Sequence, residues 1–210
     1  MNGPFADLSR LQLSKLFNLL EVHIYKFNKN EKILPTIKNG NILGIIMEGS
    51  AQIMYIEYNG NEIIMENLYK DSIFGTNISG TNTEDCEIIA KEYTEVLVID
   101  YKKIINKKNT KYNYFNIFQT NLFDIINSKL KERNDRIRIL EKKQIRDKLL
   151  EFFEIEYKKT HSKFIYLQFS FKDLSDYIGT NRSAMFRELK NLKDEGFIEI
   201  NDKRITLLFK

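Results

Sequence analysis

Arg182 and Arg187 stand five positions apart in the segment 180–192, "TNRSAMFRELKNL", with Lys190 close behind. A guanidinium presents a planar fork of donors that pairs with carboxylates, with phosphates or with the O6 and N7 edge of guanine, so the chemistry on offer is recognition, not bond breaking. In the same segment Met185, Leu189 and Leu192 recur at i, i+4 and i+7, the spacing of an apolar helix stripe. The segment therefore predicts a helix with a core face and a basic face carrying Arg182, Ser183, Phe186, Arg187 and Lys190.

No catalytic set accompanies these residues. His23, His161 and the lone Cys86 are the histidines and cysteine of the chain, and no Ser-His-Asp, Cys-His, phosphate-loop or metal-ligand spacing occurs. An enzyme is not expected. One cysteine can form neither an intramolecular disulfide nor an iron-sulfur site, and two histidines make no convincing haem or zinc set, so no metal is expected. Cys86 reads as a packing residue; as a redox switch it would be handicapped by Glu84, Asp85 and Glu87, which raise a thiol pKa.

The elements that must hold the basic helix are legible around it. Ser170 followed by Asp173 predicts a capping box and a helix through Leu174, Tyr177 and Ile178, ended by Gly179. Thr180 is expected to cap the next helix through an amide near Ser183. Two helices about a tight glycine turn form a helix-turn-helix, whose second helix fits a DNA major groove. Gly196 ends that helix, and "IEI" and "RITLLF" flank the turn "NDK" as a two-stranded wing. On this reading Arg182, Ser183 and Arg187 read bases, although either arginine can instead take a phosphate. Ser170, Thr180, Asn181, Lys190, Lys203 and Arg204 are expected at the DNA backbone. Phe186 can touch a thymine methyl, the sugar-phosphate chain, the wing or the preceding helix.

Upstream, residues 8–20 predict a short amphipathic helix, and from about Tyr25 to Asp100 short apolar or alternating runs separated by Asn and Gly predict strands. Asn59-Gly60 between two such runs predicts a hairpin. Strands with no long helical pattern between them indicate an antiparallel barrel, roll or sandwich. Residues 111–131 predict one long helix with Phe115, Phe118, Leu122, Ile125, Ile126 and Leu130 as its stripe. That stripe packs either on its own β domain or on the same helix of a second subunit, and the helix's length and place between domains favour the dimer. The polar run 132–138, "ERNDRIR", reads as a boundary, followed by a helix with Leu140, Ile145, Leu149, Phe152 and Phe153 inside. The expected organisation is α+β: a β domain over 1–108, a dimerisation helix and hinge over 109–137 and a winged helix over 138–210.

Composition agrees with a folded chain of more than one domain: 210 residues, 42% hydrophobic and 30% charged. No run of about 18 apolar residues could cross a bilayer, and the charged N-terminus does not read as a signal peptide, so a cytoplasmic protein with no membrane partner is expected. Residues 1–128 hold 13 Lys/Arg against 15 Asp/Glu, whereas residues 129–210 hold 20 against 14. The positive charge lies with the predicted winged helix, as a polyanion partner requires, although a solvated basic face has the same signature.

The segment 173–200, "DLSDYIGTNRSAMFRELKNLKDEGFIEI", resembles the helix-turn-helix and wing of the Crp/Fnr family, the cyclic-AMP receptor protein and its relatives. "GIIMEGSAQIMYIEYNGNEIIMENLYKDSIFG" and "AKEYTEVLVIDYKKI" resemble the family's β-roll, a cyclic-nucleotide-binding-like jelly roll. The resemblance implies a homodimer joined by the central helix, paired recognition helices on a roughly palindromic promoter site in double-stranded DNA, RNA polymerase as a further partner and a small-molecule effector in the β-roll. It places the effector pocket at Phe74, Gly75, Thr76, Asn77, Glu84 and Asp85. Members that bind cyclic AMP carry Gly-Glu-Leu and then Arg-Ser or Arg-Thr there. Thr76 replaces that Glu here, and Glu84-Asp85 stand near the Arg-Ser position, where two carboxylates would repel a phosphate. A cyclic nucleotide is therefore not expected. The family's four-cysteine cluster is excluded by residue inventory, and His23 and His161 make no convincing haem set, so no haem is expected. The alternative reading is a small-molecule-sensing or protein-interaction module whose winged helix does not bind DNA.

Overall fold

In "ILGIIME" nearly every residue is apolar, and a strand of that kind must be covered on both faces. The computed structural model, which describes residues 3–34, 41–58, 60, 62–75, 86–167 and 170–208, meets that demand with two separate cores. Two compact units divide the chain, Met1–Ile126 and Asn127–Lys210.

The first unit opens with α1 (Arg10–Leu20), whose Ser9 and Gln12 form a capping box. The strands β1 (His23–Phe27), β2 (Lys32–Leu34), β3 (Ile42–Glu48), β4 (Ala51–Ile56), β5 (Glu62–Leu68), β6 (Ile73–Phe74), β7 (Cys86–Ala90) and β8 (Thr94–Asp100) follow. They build two four-stranded sheets among the described residues, ordered β1-β8-β3-β6 and β2-β7-β4-β5, and the strand pairs are antiparallel. The β4–β5 hairpin falls where Asn59-Gly60 predicts it. Gly60 has φ +84° and its N–H donates to the Glu57 carbonyl at 2.8 Å, while Asn59 lies outside the described residues.

Period-2 alternation sorts the side chains. Ile42, Ile46, Val96 and Val98 join Phe27, Ile53, Leu68, Phe74 and Ile88 in one core. Leu43, Ile45, Leu97 and Ile99, on the intervening positions of β3 and β8, join the helices in another. Those helices are α1, α2 (Tyr101–Ile104) and the start of α3 (Asn113–Leu140); a 3-10 turn, Lys107–Lys111, lies between α2 and α3. At Gly44 the ring of Phe74 lies where a Cβ would stand, so Phe74 fills the sandwich.

Burial corrects the expected dimer stripe. Phe115 and Phe118 are fully buried and Leu122 nearly so, packed with Leu16, Leu20 and Ile73 of their own domain. Ile125 packs against the same core, whereas Ile126 and Leu130 are exposed. The apolar periodicity was real, but the sheet's outer face is the surface that uses most of it. The charged run 132–138 also does not end the helix. Its Glu, Arg and Asp residues are compatible with helix, Asp135 and Arg138 pair at i, i+3, and α3 continues to Leu140.

The second unit comprises the end of α3, α4 (Ile145–Thr160), β9 (Phe164–Tyr166), α5 (Phe171–Tyr177), α6 (Arg182–Asp194), β10 (Ile198–Asn201) and β11 (Arg204–Leu207). Its three-stranded sheet has the order β10-β11-β9, so a short strand joins the expected wing hairpin. Ile139, Leu149, Phe153, Leu174, Ile178, Met185, Leu189, Leu192, Ile198 and Ile205 form one core.

Because Phe118 is fully buried among α1, the sheet and α3, Phe118→Ala should cost about 3–5 kcal/mol of stability through lost burial and the cavity left. Urea unfolding followed by circular dichroism measures it; a cost below about 1 kcal/mol would show that this side chain is not buried in the domain core.

Candidate nucleic-acid interface

The orientation of α6 is set by what it buries. Met185, Leu189 and Leu192 are at most 1% exposed, which commits that face to the core and turns Arg182, Ser183, Phe186, Arg187 and Lys190 outward. Among the described residues no ion pair neutralises Arg182, Arg187 or Lys190. The acidic side of α6 is treated differently. Glu188 and Glu195 are both bound by Arg146 of α4, Glu188 at 3.3 Å, and this hydrogen bonding holds the Glu195 carboxyl below the usual carboxylate range. Arg146 also lies over the ring of Phe197, 5.1 Å from its centroid. Glutamate charge is thus compensated, while the outward cations remain available to an anionic partner.

The turn before α6 is braced from two sides. Gly179 has φ +63°, and a Cβ there would meet Leu140 Cδ2 at 2.9 Å, so both backbone conformation and space require glycine. The Lys148 ammonium donates to the carbonyls of Ile178 at 3.0 Å and Gly179 at 3.2 Å, satisfying acceptors that the end of α5 leaves exposed. Neither Arg146 nor Lys148 was identifiable from sequence, since each acts across a distance that local spacing does not encode.

The caps differ partly from expectation. Ser170 and Asp173 form the reciprocal box at the start of α5. The Ser170 hydroxyl and N–H both donate to Asp173, at 2.7 and 2.9 Å, and hold its carboxyl below the ordinary range. The cap of α6 is Asn181, whose side-chain oxygen accepts the Ser183 N–H at 2.9 Å. Thr180 is not the cap; it is half-buried, with its N–H on the Ser175 carbonyl at 3.0 Å. An Asx cap one residue later starts the helix at Arg182.

The wing turns through Asp202 and Lys203, with Asn201 paired to Arg204 and Asp202 at φ +52°. Lys203 and Arg204 are exposed. The Arg204 guanidinium stands 6.0 Å from the Phe164 ring centroid, and Tyr166 lines a shallow concavity with residues 201–204. Phe186 meets the preceding helix, as one of its expected contacts: its ring centroid is 5.3 Å from that of Phe171.

Sites expected in the β domain are described in part. Phe74 is fully buried in the core of the β domain, and Gly75 is buried beside it. Thr76, Asn77, Glu84 and Asp85 lie outside the described residues. Among the described residues no group of His, Cys, Asp and Glu is placed to hold a metal ion, and no helix is long and apolar enough to cross a membrane.

Residues 143–208 match the Crp-like helix-turn-helix domain. No curated protein matches the chain by sequence. Among solved structures, a cysteine-to-serine variant of CprK complexed with OCPA superposes with a TM-score of 0.67 at 18% identity, over 92% of this chain and 89% of that one. A CooA mutant from Carboxydothermus hydrogenoformans gives 0.60 at 21%, over 96% and 94%. The catabolite activator protein of Thermus thermophilus gives 0.52 at 16%, over 97% and 92%. These likenesses establish the fold.

Asn181→Ala should lower unfolding stability by about 1 kcal/mol, the worth of an N-cap, and Thr180→Val by about 0.5 kcal/mol or less. Denaturant titration of both variants tests this, and the reverse order would restore Thr180 as the cap.

Proposed function

From a chain with the Crp/Fnr-type regulator fold and a Crp-like helix-turn-helix domain at residues 143–208, we propose a sequence-specific regulator of transcription that binds duplex DNA as a homodimer and answers to a signal received by its β domain. The observation that carries this reading is the segregation of charge on α6: buried Met185, Leu189 and Leu192 on one side, outward Arg182, Arg187 and Lys190 on another. Such a helix offers side chains to base edges from its first turns while its apolar face stays in the domain.

In this reading Arg182, Ser183 and Arg187 read bases. Lys190, Lys203 and Arg204 contact phosphates and make affinity salt-dependent. Thr180 and Asn181 lie at the backbone beside the start of α6, and the Asn181 amide nitrogen is the part of that side chain left to reach a phosphate once its oxygen caps the helix. Ser170 is a weaker candidate, because its hydroxyl is committed to Asp173. The target confines the protein to the cytoplasm, with RNA polymerase as the partner through which binding alters transcription. The protein is not an enzyme. Its effector is a small molecule other than a cyclic nucleotide, and haem and iron-sulfur clusters play no part.

The surface proposed for dimerisation is what burial leaves on α3. Phe123, Leu130 and Ile137 recur every seven residues, with Ile126 three after Phe123, and exposures run from 38% at Ile126 to 64% at Phe123. That is the a/d spacing of a coiled-coil seam, and a second copy of the same helix supplies the matching face.

Selection of bound duplexes from a randomised library, followed by titration, tests the DNA reading. Arg182→Ala should cost about 1–3 kcal/mol on the selected site and relax preference at particular bases, whereas Lys203→Ala should weaken all duplexes alike and reduce the salt slope by about 1. Equal binding of selected and random duplexes by wild type would favour the interaction-module reading.

Leu130→Glu with Ile137→Glu should convert a dimer into a folded monomer in sedimentation equilibrium, since charges in an a-position seam oppose pairing. An unchanged dimer mass would move the interface elsewhere.

A further inference from the structure

Arg182 and Phe186 are one helical turn apart, and their side chains meet. The Arg182 Cζ lies 5.6 Å from the centroid of the Phe186 ring, within the range at which a guanidinium is attracted to the negative face of an aromatic quadrupole. The ring is itself held from below. Phe171 stands 5.3 Å away, centroid to centroid, at an interplanar angle of 48°. Phe171 is the first residue of α5, fixed by the Ser170–Asp173 box immediately before it, and it packs against the core of the second unit. A continuous path of contact therefore runs from the core through Phe171 and Phe186 to the guanidinium of Arg182.

Phe186 is 41% exposed, so one part of its ring is open to the Arg182 guanidinium while the other is held by Phe171. Arginine loses much rotamer freedom whenever it binds a ligand, and a platform that restricts its rotamers beforehand reduces that loss. We propose that Phe186, backed by Phe171, is a positioning residue: a platform that pre-orders Arg182 for its base and so sets discrimination at that base without touching DNA itself. This inference rests on the reading of α6 as a DNA-recognition helix.

The test uses the full-length protein and the tightest duplex selected from a randomised library. Phe186→Leu keeps apolar contact with Phe171 but removes the π face, and should weaken binding about two- to fivefold, the worth of one exposed cation–π contact. That loss should concentrate at the base pair whose preference Arg182→Ala relaxes. Phe186→Tyr, which retains the ring, should restore wild-type affinity and preference. In an Arg182→Ala background Phe186→Leu should cost nothing further, because a residue that acts through Arg182 has nothing left to act on. In DNA-free protein the Arg182 δ-methylene protons should show an upfield ring-current shift by NMR, lost in Phe186→Leu while the fold and melting temperature persist. An additive loss in the double variant would assign Phe186 a direct DNA contact and overturn the proposal, as would the absence of the ring-current shift. If wild type selects no duplex, the DNA reading itself fails and the proposal falls with it; a selected duplex with additive losses rejects the platform alone.

Discussion

Everything at the basic face depends on the burial of three side chains on the opposite face of α6. Met185, Leu189 and Leu192 enter the same core as Leu149, Phe153, Leu174 and Ile198, and removing three large apolar side chains from water contributes several kcal/mol, at about 1.5–3 kcal/mol each. A rotation of the helix by one residue, about 100°, would expose that stripe and turn inward either Lys190 and Lys193 or Glu188, whose charge would have no compensating partner in the core. The direction in which Arg182 and Arg187 point is thus a consequence of hydrophobic burial, enforced more strongly than any contact on the exposed side could enforce it. Arg146 adds a second constraint of a different kind, tying the C-terminal part of α6 to α4 through Glu188 and Glu195.

The same logic operates in the β domain with a different outcome. β3 and β8 lie at the centre of their sheet and are buried on both faces, one set of alternating residues serving the sandwich and the other serving α1, α2 and α3. Phe74 lies over Gly44 inside the sandwich and is fully buried there.

Local signals in the sequence identified the elements whose causes are local. The Ser170–Asp173 box, the Gly179 turn, the Asn59-Gly60 hairpin and the i, i+4, i+7 stripe of α6 each act within a few residues, and each appears where its spacing indicates. The cap of α6 was misplaced by one position because Thr180 and Asn181 are both good caps, and the choice between them rests on backbone geometry. The first half of the expected dimer stripe packs elsewhere for a different reason. Periodicity announces that Phe115, Phe118 and Leu122 need a partner, but a sheet face and a second helix satisfy it equally, and a pattern does not say which surface is nearer. The seven-residue recurrence of Phe123, Leu130 and Ile137 was present in the same helix, overlain by the stronger stripe. Arg146 and Lys148 were out of reach altogether, since their partners lie 30 or more positions away in the chain.

Phe186 joins these two levels. Its i, i+4 relation to Arg182 is a local fact, and its contact with Phe171 is a tertiary one. An exposed arginine on a bare helix would sample many rotamers, and the free energy of fixing one of them would be charged against every complex it forms. Setting an aromatic ring beneath the guanidinium, and a second ring beneath the first, transfers that ordering to the folding of the domain. The core that orients α6 as a whole then also reaches, through two aromatic contacts, the side chain at its first position.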